Sequence, residues 1–177
     1  MGNVFITRPI CIETIGSVFT KRRGENYLFS GESHESWEMV YVIDGYVGVT
    51  AGERILKCRP GSLIFHQPNE FHRLWNAGKG DIHIMVISFT GSGDELNRLR
   101  EKVLFLDETQ VDIMRRLQDF IAEDDPKQRI KSARGAFAAD PVTAAQFVSL
   151  YEYFLYTCAK SENTIKPKMT GDTLLFS

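Results

Sequence analysis

The densest run of chemistry-bearing side chains in this 177-residue sequence is Glu32-Ser33-His34-Glu35-Ser36-Trp37-Glu38. Alternate residues of an extended chain face one side, so Glu32, His34, Ser36 and Glu38 line up together. One imidazole and two carboxylates on one face could hold a metal. Nitrogen and oxygen donors suit zinc, iron, manganese or nickel, and such a site wants a further histidine from another strand. His72 is the natural candidate, because the turn Gln67-Pro68-Asn69-Glu70 would feed its strand back across a sheet; His66 stands at the far end of the same hairpin. Short clusters of Glu, Ser and His also occur in solvated loops, so spacing leaves both readings open. Glu38 opens the apolar run 39–43, and a carboxylate there needs water, a cation or a hydrogen-bonding ligand. A salt bridge and a ligand contact satisfy that need equally. His83, between Ile82 and Ile84, reads as a strand residue of an outer face.

The elements that must position these residues are short β-branched and aromatic runs, cut by Gly, Pro, Asn and charged turns at the spacing of sandwiches and barrels. The pattern predicts strands over 10–20, 26–30, 37–44, 46–51, 54–58, 62–66, 71–75 and 82–89. Asp44-Gly45 and Ala51-Gly52-Glu53 read as tight hairpin turns. Beyond Gly91-Ser92-Gly93 the period changes, with Val111, Met114, Leu117 and Ile121 three and four apart, which predicts an amphipathic helix. A second helix begins with Asp140 as N-cap and Pro141 at the first helical position, and runs to Lys160. A shorter helix is expected within 94–102, a loop over 124–140, and irregular polar chain over 161–177. Leu174-Leu175-Phe176 closes the sequence as an apolar cluster with nothing after it to pack against, as expected where a chain is cut.

Composition narrows the class. Twelve Phe, six Tyr and two Trp supply a core, and 25% charged residues is ordinary for a globular chain. The run Ile82 to Phe89 is far short of the roughly 20 residues that span a bilayer, and no signal-peptide pattern opens the chain, so a soluble cytoplasmic protein with no membrane partner is expected. Cys11, Cys58 and Cys158 are odd in number and widely spaced, which predicts free thiols. Up to Gly93 there are 9 basic and 9 acidic residues, and beyond it 12 and 14. Neither half carries the basic excess of a module that neutralises DNA phosphates.

The segment H-E-S-W-E-M-V-Y-V-I-D-G, followed by C-R-P-G-S-L-I-F-H-Q-P-N-E-F-H-R-L, resembles the two motifs of the cupin barrel. More narrowly, it resembles the N-terminal sensor domain of AraC-type transcriptional regulators, over roughly residues 7–160. The resemblance implies a mainly β fold: a cupin, or jelly-roll, barrel over 1–92, which senses ligand, followed by a helical dimerisation and linker segment over 93–177. It places His34 at the second histidine of the cupin H-x-H, Glu38 at the glutamate after it and His72 at the motif-two histidine. Glu32 replaces the first histidine, which removes a neutral nitrogen donor and leaves metal occupancy open.

The resemblance further implies a small polar effector, with a sugar as the leading class. The effector would be bound at the barrel mouth by His34, Glu38, His66 and His72, with Trp37 and Trp75 as walls or as packing. Residues 1–23 would fold over that mouth, and the helices over 108–123 and 141–160 would pair two copies. DNA would be contacted only through a helix-turn-helix half that these 177 residues do not contain. The contrasting expectation is a metal-dependent cupin enzyme, a dioxygenase or isomerase, using His34, Glu38 and His72 with Glu32 or His66 as the fourth ligand of a divalent metal. The missing histidine and the long C-terminal helices weigh toward the sensor and against an enzyme.

Overall fold

A computed structural model describes residues 3–121, 137–162 and 164, and the backbone of 168–170 and 173–175. Strands β1 (Cys11–Arg23), β2 (Leu28–Glu32), β3 (Trp37–Asp44), β4 (Val47–Ala51), β5 (Arg54–Cys58), β6 (Ser62–His66), β7 (His72–Asn76) and β8 (Ile82–Ser92) follow the predicted order. A 3-10 turn at Asp94–Leu99, β9 (Val103–Phe105), helix α1 (Glu108–Gln118), helix α2 (Pro141–Lys160), β10 (Lys168–Thr170) and β11 (Thr173–Leu175) complete the described elements. The strands form a five-stranded sheet, β1-β8-β3-β6-β9, and a six-stranded sheet, β10-β11-β5-β4-β7-β2. Each described pairing is antiparallel except β11 beside β5.

Strand alternation explains how the layers assemble. On β3, Trp37, Met39 and Tyr41 join an apolar cluster with Met85, Phe89, Phe147, Tyr151 and Phe154, so this face of the five-stranded sheet is covered by the helices. Val40 and Val42 join a second cluster with Val47, Val49, Leu56, Ile64, Leu74 and Val86, which is the barrel interior between the two sheets. Glu38 shares the parity of Val40 and therefore belongs to the interior face.

Local chemistry sets the element ends. Gly45 has φ 76°, and a Cβ there would press on the Asp81 carbonyl, so the β3–β4 turn requires glycine. Asp107 caps α1 by accepting from Gln110 N at 2.8 Å, while Gln110 Oε1 accepts from Asp107 N at 3.1 Å. Asp140 accepts from the Val142 and Thr143 amides, with Pro141 opening α2 as the sequence predicts. Lys102 Nζ donates to the carbonyls of Cys158, Ala159 and Ser161, anchoring the C-terminal end of α2 to the barrel.

Several expectations change. Helix α1 ends at Gln118 rather than 123, because the chain tightens into three-residue turns, Phe120 N to Leu117 O and Ile121 N to Gln118 O. Of the loop expected over 124–140, residues 124–136 lie outside the described residues, and 137–139 are helical. Strand β9 adds to the five-stranded sheet and β11 pairs with β5, so residues past 92 also contribute to the barrel sheets. Residues 174 and 175, expected to have nothing after them in the sequence to pack against, pair instead with the earlier residues Leu56 and Lys57 of β5. Of the stretch 1–23, residues 11–23 are an edge strand along β8, which leaves only the segment before Cys11 as an arm.

Candidate functional site

Four donor residues converge at one end of the barrel. Glu32 closes β2 and is paired in register with His72, the first residue of β7. His34 lies in the β2–β3 turn, its carbonyl accepting from Asn69 N at 2.7 Å, which holds this turn against the one between β6 and β7. Glu38, on β3, lies opposite His66 of β6 and Ser88 of β8. One ligand atom from each of Glu32, His34, Glu38 and His72 lies within 4.8 Å of the other three.

The carboxylate of Glu38 sits between two imidazoles: its Oε2 is 3.6 Å from His34 Nε2 and its Oε1 is 3.4 Å from His72 Nε2. His72 Nδ1 is 3.0 Å from the Glu70 carbonyl, and His66 Nδ1 is 2.9 Å from Glu70 Oε2. The His66 ring stacks on His72 at 4.5 Å, and His34 meets His72 edge-on at 5.0 Å. His66 Nε2 and His72 Nε2 are buried with no hydrogen-bond partner among the described residues. Burial pushes the Glu38 carboxyl above the usual carboxylate range, against the opposing pull of His72 and His34. Burial likewise lowers the pKa of His66 and of His72 below the ordinary histidine value. Neutral imidazoles with open Nε2 atoms beside two carboxylates are the donor chemistry of a divalent-cation site, and the orphaned Nε2 of His72 is the atom such an ion would satisfy.

The tryptophans are not brought to these donors. Trp37 precedes Glu38 and so faces the opposite side of β3, nearly parallel to Phe89 in the helix-covered cluster. Trp75 has the parity of Arg73, opposite to the interior residues His72 and Leu74, and lies over Gly48 on the outward face of the six-stranded sheet. His83 stands between Arg22 and Asp44 in register, away from the donors. Sequence reasoning did not single out Glu70 or Arg54, whose Nη2 is 3.6 Å from Glu70 Oε1. The i,i+4 relation of His66 and Glu70 across a tight turn was the available signal. A cavity of about 290 Å³ lies elsewhere, between β1 and α2, with Ile12, Ile15, Ala144 and Val148 in its walls.

Two sheets enclosing an apolar interior, with histidine and glutamate donors gathered at one end, define a cupin-type barrel. Residues 14–132 match the family model of the AraC-like ligand binding domain. The chain belongs to that family. Among solved structures it is similar to a predicted oxalate decarboxylase from Thermotoga maritima, at 14% identity and a TM-score of 0.41, over 42% of this chain and 66% of that one. The cupin domain of Cnp3 from Schizosaccharomyces pombe matches at 12% identity and a TM-score of 0.40, over 55% and 62%. TT1209 from Thermus thermophilus matches at 20% identity and a TM-score of 0.38, over 49% and 77%. The chain thus spans just under two thirds of the first two. No curated protein matches the chain by sequence. No helix among the described residues is long and apolar enough to cross a membrane.

Proposed function

We propose that this chain is the effector-sensing and dimerisation part of an AraC-type transcriptional regulator, taking a small polar ligand, sugar-like in class, at the donor-lined end of the barrel. The observation that carries the reading is the convergence of Glu32, His34, Glu38 and His72 within 4.8 Å in a domain of this family. Such a cluster binds hydroxyl groups well. It also fits a divalent cation, which Glu32, His34, Glu38 and His72 would hold and which would act as a Lewis acid toward a hydroxyl or carbonyl of the effector. His66 lines the same face and completes the polar wall.

The signal would pass to α2, whose exposed Val142 and Tyr153 offer apolar surface for pairing with a second copy. A ligand switches such a protein only by binding one arrangement better than the other. DNA would be contacted through a helix-turn-helix unit outside these 177 residues, in a cytoplasmic protein. Calorimetric titration of a sugar panel, with and without manganese or zinc, tests the reading. A binder weakened at least about tenfold (1.4 kcal/mol) by Glu38→Gln or His72→Ala supports it. A ligand indifferent to both substitutions overturns the site assignment.

The donor set also favours a second reading, a metal-dependent cupin enzyme. Elemental analysis of protein purified without a metal-binding tag, followed by oxidation and isomerisation assays on the same sample, separates the two: bound metal with turnover favours the enzyme.

A further inference from the structure

Three imidazoles at this end of the barrel have Nδ1 against an oxygen acceptor: His34 faces the Ser36 carbonyl at 3.1 Å, His72 the Glu70 carbonyl at 3.0 Å, and His66 the Glu70 carboxylate at 2.9 Å. A neutral imidazole has one N–H and one bare nitrogen, and a carbonyl oxygen can only accept. The proton therefore sits on Nδ1 of His66 and His72, and their Nε2 atoms carry a lone pair; His34 Nδ1 also meets the Ser36 hydroxyl at 2.9 Å, which can donate, so its tautomer is not fixed this way. Glu70 supplies two of these three restraints, one from its side chain and one from its main chain. It is itself held. Its amide donates to the Gln67 carbonyl at 3.1 Å, and Arg54 faces its second oxygen at 3.6 Å. Arg54 is in turn anchored by donating to the Glu101 carbonyl at 2.8 Å.

We propose that Glu70 is the positioning residue of this site, fixing His66 and His72 with bare Nε2 atoms so that these two rings present electron pairs and the barrel end takes a divalent cation in preference to any anion. The cation half of this inference rests on the metal-binding reading above; the positioning half stands on the hydrogen bonds alone. With Glu32 and Glu38 adding carboxylate oxygens, the cluster has acceptors for a cation, and neither His66 nor His72 turns an N–H to a carboxylate or phosphate ligand. Outer partners of this kind orient metal-ligating histidines and raise their affinity, and their loss commonly costs about 10–100-fold in metal binding.

The experiment is long-range proton–nitrogen NMR of the metal-free protein labelled at histidine nitrogens, at about pH 8, where rings with ordinary pKa values are neutral, combined with calorimetric titration of Mn²⁺ and Zn²⁺. In the wild type, His66 and His72 should both show the Nδ1–H tautomer. In Glu70→Gln the His66 ring should lose that single tautomer, since an amide can donate to Nδ1 as well as accept, while His72, held by the backbone, keeps it. Cation affinity should fall by about 10-fold, the low end for an outer partner, because the Glu70 side chain restrains His66, which stacks on the donor His72, and oxalate and inorganic phosphate should bind neither protein. A proton on Nε2 of either ring in the wild type overturns the positioning role without need of any variant. So does a Glu70→Gln protein with unchanged His66 tautomer and unchanged affinity. A wild type with the expected tautomers that binds neither cation overturns the cation preference and the metal reading beneath it, while supporting Glu70 as the residue that sets the rings.

Discussion

One guanidinium nitrogen of Arg8 donates to both carboxylate oxygens of Glu152, at 2.7 Å each, and joins the start of the chain to helix α2 across 144 residues of sequence. Glu152 Oε1 also accepts from the Ile12 amide at 2.8 Å, so one buried carboxylate holds both the arm and the start of strand β1. The arm and the helix are thereby mechanically coupled. Glu152→Ala should cost about 1–3 kcal/mol in urea unfolding, because the Ile12 amide is left buried without a partner. Arg8→Ala, at a largely exposed side chain, should change stability far less yet speed protease cleavage within 3–9. Equal stability losses for the two variants would contradict this division of roles.

Replacing Glu32 by His restores a nitrogen donor at the position where this chain departs from the cupin pattern. Nitrogen donors favour zinc and nickel relative to manganese. Titration of Glu32→His should therefore show the zinc-to-manganese affinity ratio rising by about tenfold, or 1.4 kcal/mol. A ratio that stays put would place the Glu32 carboxylate outside the coordination sphere.

Tyr151 is fully buried between α2 and the five-stranded sheet, and its hydroxyl has no hydrogen-bond partner among the described residues. Removing an unpaired buried hydroxyl removes a desolvation penalty. Tyr151→Phe should be neutral or stabilising by up to about 1 kcal/mol, whereas Tyr151→Ala should cost about 3–5 kcal/mol through the cavity it leaves. Denaturant midpoints measure both, and a destabilised Phe variant would reveal a partner for the hydroxyl.

Trp75 lies flat across Gly48, with the Arg73 guanidinium 5.2 Å from its ring, so a Cβ at position 48 would strike the indole. Gly48→Ala should destabilise by about 1–3 kcal/mol as the ring is displaced, and should shift tryptophan emission to the red. In a Trp75→Ala background the same substitution should cost much less. Additive costs in that double-mutant cycle would argue against the contact.

Burial alone pushes the Cys58 thiol up to about 12, and burial is the largest effect raising that of Cys158 to about 12. Folded-state values above the unfolded one mean that the unfolded chain loses its thiol protons first as pH rises. The contribution is intact below the unfolded value near 9 and is lost progressively toward 12. Stability measured by urea titration should fall over that interval, and fall less steeply in Cys58→Ala/Cys158→Ala. Native protein at about pH 8, below the ordinary thiol pKa, should expose one thiol to a disulfide reagent, Cys11, which is the half-buried one.

The eight barrel strands and helix α2 were legible because their signals are local: alternation, Gly and Pro punctuation, and a Pro141 start capped by Asp140. Strand β9 was hidden, since three residues carry no readable period and pair only because β6 offers an open edge. The four residues that converge could be picked out from their types and spacing, with the cupin resemblance suggesting roles for His34, Glu38 and His72. Alternation also separates Trp37 from Glu38 along one strand.

What alternation cannot say is which parity faces the barrel interior. That is decided when one sheet face meets its opposite sheet and the other meets the helices, which sends Trp37 to the helices and Trp75 outside. The hold of Glu70 on two histidines depends on a turn geometry in which Asn69 adopts φ 65°, and on Arg54 arriving from another strand. The clasp of Arg8 on Glu152 depends on β1 lying beside α2. Sequence determined the eight barrel strands and helix α2 and offered donor residues by type, because those follow from local torsions and side-chain chemistry; the tertiary structure alone decided which side chains meet, because packing brings together atoms whose separation along the chain carries no signal.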